Sequence, residues 1–195
     1  MAAITQARDA MSINLDDLKK GSMPGVEADV GASLAQAAII CFEDSKHSSG
    51  VKLLVEGTFQ RKPEVRWAPL ANPEQARRSW DPDEATEKGA TGVAVLLIDK
   101  FTEYTVVERA MKWIGTRRGS GFDYWLGKKE SKSYGSQLLG EARLEVSGIR
   151  NGSHADVMAR VRQKTSQTEV SDWLRIEAYV AVVEFSSPQS MVLRR

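Results

Sequence analysis

Residues 141–147 read Glu-Ala-Arg-Leu-Glu-Val-Ser and alternate polar with apolar at every step. In a strand, a period of two places Glu141, Arg143, Glu145 and Ser147 on one face and Ala142, Leu144, Val146 and Gly148 on the other. The second face meets a core. The first is chemically rich: it is either a solvated surface with weak cross-strand ion pairs or part of a site. A further acid, Asp123 in Gly121-Phe122-Asp123-Tyr124-Trp125, falls on a preceding strand; it either bonds the Gly-rich turn before it or faces the acids of 141–147. Arg117, Arg118, Lys112, Lys128, Lys129 and Lys132 flank the Asp123 hairpin in sequence. Clustered cations of this kind grip phosphates or simply keep a surface soluble.

Other reactive side chains point to blander roles. Cys41 is the one cysteine, so no intrachain disulfide forms, and its apolar helical setting makes it a core thiol. A zinc site would have to draw on His47, His154 and carboxylates, but His47 sits in a polar loop and His154 opens a helix. The glycines of 115–121 form no phosphate-binding loop, because no Gly-Lys-Ser/Thr follows them. No organic cofactor site is indicated. Trp67, Trp80, Trp113, Trp125 and Trp173 are core or interface residues by default and would stack on bases if exposed.

The whole chain has 195 residues, 42% apolar and 27% charged, as expected for one globular domain. Lys+Arg number 27 and Asp+Glu 26, a formal net charge of +1. No global field draws such a molecule to nucleic acid, so any contact comes from a local patch. Apolar runs such as 37–42 and 93–98 span six residues, against the roughly 20 of a membrane-spanning helix. With no basic head and apolar core at the N-terminus, the expectation is a cytoplasmic protein with no membrane contact.

The elements that must position these residues follow from local pattern. Residues 1–26, with Gly21, Pro24 and Gly25, read as an arm. A helix is expected over 29–42, then one strand over 51–57 paired in a hairpin with 64–68, and a polar connection over 69–80. Asp81-Pro82-Asp83-Glu84 is a strong helix start: an Asp N-cap, Pro at the first helical position and acids in the first turn. The helix it opens runs to about Lys100; Gly89 and Gly92 weaken it and leave a buried strand over 93–98 as the alternative. Strands follow at 104–110, 122–126 and 141–147. Ser153 then caps a helix whose outward side is basic, Arg160, Arg162 and Lys164. Residues 176–185 are too apolar for a half-exposed strand and belong inside a sheet. Residues 186–195 form a tail ending in Arg194-Arg195. A single domain is expected, with 27–80 as an N-terminal helix and hairpin beside a core over 81–185.

In order, residues 81–185 read helix, strand, strand, strand, helix, strand. With Asp123 on the second strand and Glu145-Val146-Ser147 on the third, this segment resembles the restriction-endonuclease-like superfamily of PD-(D/E)XK nucleases. Those proteins share an α/β fold with an αβββαβ core and a mixed central sheet, an acid on the second strand and (D/E)-x-K on the third. Two departures stand out: Ser147 occupies the lysine position, and no Pro precedes Asp123. The resemblance implies Mg2+ held by Asp123 and Glu145, supported by a third acid from the first helix, Glu84 or Glu87. It implies a metal that polarises phosphate and activates water. Lys164 on the following helix, or Arg143 on the strand, would replace the missing ammonium, although a guanidinium stays protonated and suits proton transfer poorly. Nucleic acid contacted by Arg117, Arg118, Lys128 and Lys129, with a setting in bacterial defence, completes that expectation. The second expectation keeps the fold without the chemistry: a non-catalytic subunit that binds a protein partner or a second copy of itself.

Overall fold

The computed structural model describes residues 11–110, 120–130 and 140–195. Six strands form a mixed sheet in the order β3-β9-β8-β7-β6-β5. They are β3 (Leu54–Gly57), β5 (Tyr104–Arg109), β6 (Tyr124–Lys128), β7 (Ala142–Ile149), β8 (Glu177–Glu184) and β9 (Gln189–Arg194). β6 runs antiparallel to both β5 and β7, β7 and β8 are parallel, and β9 lies antiparallel to β8 and parallel to β3. A smaller sheet holds β1 (Ser12–Asn14), β4 (Glu64–Arg66) and β2 (Val51–Lys52) in that order. The molecule is a mixed α/β structure, and the run from Pro82 to Glu184 is helix, three strands, helix, strand.

One face of the large sheet is covered by α3 (Pro82–Phe101), against which α1 (Ala28–Asp44) packs, with the short α2 (Pro73–Arg78) between them in sequence. The main core gathers Leu34, Ala38 and Phe42 of α1 with Val93 to Ile98 of α3 and Leu144, Val146 and Tyr179 of the sheet. α3 starts as its sequence demands: the Asp81 carboxylate accepts from the N–H groups of Asp83 and Glu84. Its two glycines have a packing cause. A Cβ on Gly89 would lie 2.9 Å from Cα of Ala38, and one on Gly92 would lie 3.2 Å from the Leu34 carbonyl oxygen. The helix keeps them so that α1 can approach its backbone, and 93–98 is helix, not strand.

The other face is covered by α4 (His154–Thr168), which starts with a capping box between Ser153 and Asp156. Its Val157 and Val161 meet Val180 and Val182 of β8 and Met191 of β9. β7 and β8 are therefore sandwiched between helices, and all of β7 except Ile149 is buried.

The sequence expectations depart from this structure at four places. Residues 11–26 are no arm: β1 pairs with β4, and Ile13, Leu15 and Leu18 enter the main core, because the Ile-x-Leu-x-x-Leu spacing suits a strand running into a 3-10 turn. Residues 1–10 lie outside the described residues. The strand expected over 51–57 is two strands in two sheets, parted at Leu53, which is fully buried. The connection over 69–80 contains α2. The tail expected over 186–195 contains β9, whose Val192 is fully buried; its last residue Arg194 pairs with Glu177, and Arg195 just beyond it pairs with Asp172. A short strand closed by two arginines hides its apolar Met191-Val192-Leu193 centre in a polar frame.

Contact between α3 and β7 is closest at Gly148, where an added Cβ would lie 2.4 Å from the Thr86 carbonyl oxygen. That neighbour is backbone and cannot swing away. Gly148→Ala is therefore expected to lower stability by about 2 kcal/mol or more in urea denaturation; an unchanged midpoint would show that α3 does not press on β7 there.

Candidate acid and cation site between β7 and α4

α4 lies across β7 so that two periodicities coincide. Four residues of helix advance about 6 Å, and two residues of strand advance about 6.6 Å. Arg160, Lys164 and Thr168 on one line of α4 consequently meet Ser147, Glu145 and Arg143 on one face of β7. Nη1 of Arg160 donates to Ser147 Oγ at 2.8 Å, Nζ of Lys164 to Glu145 Oε1 at 2.6 Å, and Nη1 of Arg143 to the Thr168 carbonyl at 3.0 Å. The face of β7 that the alternation makes chemically rich is thus covered: Arg143 is 3% exposed, Glu145 5% and Ser147 0%. The expected outward basic side of α4 is divided, because Arg160 and Lys164 are half-buried over the strand while Arg162 alone is exposed.

Asp123 joins this strip from the residue before β6. Its N–H donates to the Leu144 carbonyl at 2.8 Å, and its Oδ2 accepts from the Val146 N–H at 2.9 Å. The two bonds fall on either side of Glu145 and hold the two acids together. The approach of this segment to α4 requires Gly121, which has φ +75° and would place a Cβ 2.4 Å from the Gln167 carbonyl oxygen.

Burial of the Glu145 carboxyl disfavours its charge, and the Asp123 carboxylate beside it adds repulsion and a carboxyl–carboxylate hydrogen bond; Lys164 opposes both. The net result pushes Glu145 up to about 7. A buried acid that still holds its proton near neutrality, beside a second carboxylate and an ammonium, is the arrangement in which a divalent cation can displace a proton. Among the described residues, no group of three or more His, Cys, Asp or Glu side chains is placed to hold a metal ion. Mg2+ is satisfied with one or two carboxylates plus waters, so Asp123 and Glu145 fit it by number and by hardness of donor.

The other residues singled out in the sequence lie elsewhere. Glu84 and Glu87 are exposed on α3, which packs on the Leu144 and Val146 face of β7, opposite Glu145; helical periodicity turned them to solvent. Arg143 shares the Glu145 face but is committed as a clip, donating to Thr168, to Ser171 Oγ, to Asp172 Oδ1 at 2.9 Å and to the Ile176 carbonyl at 3.4 Å. Lys128 and Lys129 stand at the far end of β6 from Asp123, a separation of roughly 17 Å along an extended strand. There Lys129 Nζ donates to the Asp99 and Thr102 carbonyls at the end of α3, a cation at a helix C-terminus. Lys112, Trp113, Arg117, Arg118 and Lys132 lie outside the described residues.

His47 bonds the Ser186 carbonyl through Nε2, and His154 bonds Gln189 through Nδ1. Cys41 is buried, and burial pushes its thiol up to about 11 despite the Arg150 guanidinium beside it. Trp67 stacks on Phe42, Trp125 packs edge-on to Phe122, and Trp173 is 77% exposed. Among the described residues no helix is long and apolar enough to cross a membrane.

The residue missed from sequence is Arg160. Its signal was the four-residue spacing from Lys164, legible only once the side of α4 that meets β7 is known. No family model, curated protein or solved structure matches the chain.

Because Glu145 keeps its proton in the folded state to about pH 7, against 4.5 for its ordinary value, the folded chain binds more protons than the unfolded one between those limits. Its contribution to stability is therefore present below pH 4.5 and is lost as pH rises to 7, by on the order of 3 kcal/mol. Glu145→Gln is expected to remove this loss: in urea denaturation from pH 4.5 to 8 it should gain on wild type steadily with pH. Parallel profiles for the two proteins would contradict the raised carboxyl.

Proposed function

We propose that this chain is a restriction-endonuclease-like protein that acts on nucleic acid, with metal-dependent phosphodiester hydrolysis as its chemistry. The observation that carries the reading is the meeting of Asp123, Glu145 and Lys164, contributed by the residue before the second strand, the third strand and the second helix of an αβββαβ run. Order of elements and site residues thus agree, although the lysine position on β7 is Ser147.

Each residue has a chemical task on this reading. Asp123 and Glu145 would present carboxylate oxygens as hard donors for Mg2+, with Asp123 held in place by the Val146 N–H and with the proton that the two acids share giving way to the ion. The bound ion would polarise the phosphate and lower the pKa of the attacking water. Lys164 supplies the positive charge missing at Ser147. Paired with Glu145 at 2.6 Å, it holds the acid until a cation takes its place, and its ammonium is then available to offset charge developing on the phosphate oxygens. Arg143 acts on none of these atoms; it ties the end of α4 and the following turn to β7, and so keeps Lys164 in register.

A second reading, a non-catalytic subunit binding a protein partner, is favoured by one particular. Val170 and Trp173 are 45% and 77% exposed on the 3-10 segment Glu169–Leu174, an apolar display on an otherwise polar end of the fold.

Calorimetric titration of Mn2+ into wild type and Glu145→Gln, with DNA and RNA cleavage assayed on the same samples, tests the two. Saturable binding that the variant loses, tightening as pH rises through 7 because the ion competes with the Glu145 proton, is expected with Mn2+-dependent cleavage. No binding and no cleavage would leave the partner reading standing.

A further inference from the structure

Six of the twelve arginines among the described residues are matched with acids. Arg66 pairs with Glu64, Arg77 with Glu43 and Asp44, Arg143 and Arg195 with Asp172, Arg150 with Asp44, and Arg194 with Glu177. Arg61, Arg78, Arg109, Arg162 and Arg175 have no such partner among the described residues and are exposed, where water serves them. Arg160 alone among the described residues is both withdrawn from full exposure and without a carboxylate. Its one hydrogen bond runs from Nη1 to the hydroxyl of Ser147, which is fully buried.

A half-buried guanidinium with a single neutral protein partner leaves most of its five donors to water, which an anion can displace. The nearest acids are already engaged: Glu145 by Lys164 and Asp123 by the Val146 N–H, while Asp156, one turn earlier on α4, is turned back to cap the helix at Ser153. The bond to Ser147 engages Nη1 of the planar fork and leaves its other donors without a protein partner among the described residues. With Lys164 one turn along the same line, one cation stands on the acid pair and a second on the next inward position of β7, two residues on.

We propose that Arg160 is a phosphate-binding residue, its guanidinium receiving the non-bridging oxygens of a nucleic-acid phosphodiester beside the Asp123–Glu145 pair. Ser147 then has a task of its own. A lysine at that position would compete for the same space; the small hydroxyl admits the Arg160 fork and orients it. The planar fork matches two phosphate oxygens at once, which an ammonium does not. This assignment rests on the nucleic-acid reading above and adds to it the residue that seats the backbone.

The test is fluorescence anisotropy of labelled single-stranded and duplex oligonucleotides in Ca2+, across a salt series, for wild type, Arg160→Gln, Arg160→Lys and Arg162→Gln. Arg160→Gln should bind about tenfold more weakly, with the slope of log affinity against log salt smaller by about one. Arg160→Lys keeps the charge and loses the fork, so it should retain the slope at reduced affinity; it also serves if the Gln variant does not fold. Arg162→Gln removes the same charge from the exposed side of the same helix and should change affinity less than twofold. Arg160→Gln binding as wild type, or Arg162→Gln losing as much as Arg160→Gln, would overturn the assignment while leaving the nucleic-acid reading intact. Wild type binding neither oligonucleotide would overturn both.

Discussion

The site depends on a match of repeat lengths. A helix laid against a strand can keep the same partners over several turns only if its residues come back to the strand at the strand's own interval. α4 and β7 meet this condition over three successive contacts, Arg160 with Ser147, Lys164 with Glu145 and Thr168 with Arg143. The apolar half of the same helix face, Val157 and Val161, meets Val180 and Val182 one strand over. One helix therefore buries a hydrophobic seam on β8 and a polar seam on β7. The first holds it down through loss of apolar surface to water, and the second fixes how far it can slide, because a shift of one residue would leave an acid, a guanidinium and a hydroxyl buried without partners.

The polar seam also explains the condition of the acids. Glu145 is taken out of water by the helix that supplies its counter-charge, so desolvation and pairing arrive together and oppose each other. Asp123 tips the balance, because its carboxylate is tied to the backbone at Val146 and cannot move away. The outcome is an acid held near the neutral point by its packing rather than by any unusual residue type.

Much of the architecture could be read from local pattern, and the particulars show why. The α3 start at Asp81-Pro82, the Ser153 cap and the apolar run of β8 are signals complete within a few residues, and all three elements stand where they were expected. What local pattern could not reveal was pairing at a distance. Val51 and Val55 look like one strand, yet they pair with β4 and β9 in separate sheets. Arg194-Arg195 looks like a solvated end, yet its partners Glu177 and Asp172 come from β8 and the turn before it. In the site, Asp123, Glu145 and Lys164 were legible as types at plausible positions, whereas Glu84 and Glu87 were placed by analogy and lie on the wrong side of the sheet. Arg160 was hidden because a basic helix looks outward until something acidic or hydroxylic is known to lie beneath it.

The position of β9 bears on the order in which the molecule can assemble. This strand lies between β3 and β8, so the 54–57 segment has no place in the large sheet until residues 189–194 have been made. During synthesis the early residues can form α1 and the small sheet, but the edge that β3 will occupy waits for a strand more than a hundred residues later. Contacts so distant in sequence make for slow closure, and an unfinished sheet presents the open side of β8 to solvent in the meantime. Emergence of β9 from the ribosome is thus the event that seals the sheet and joins the early part of the chain to the late part.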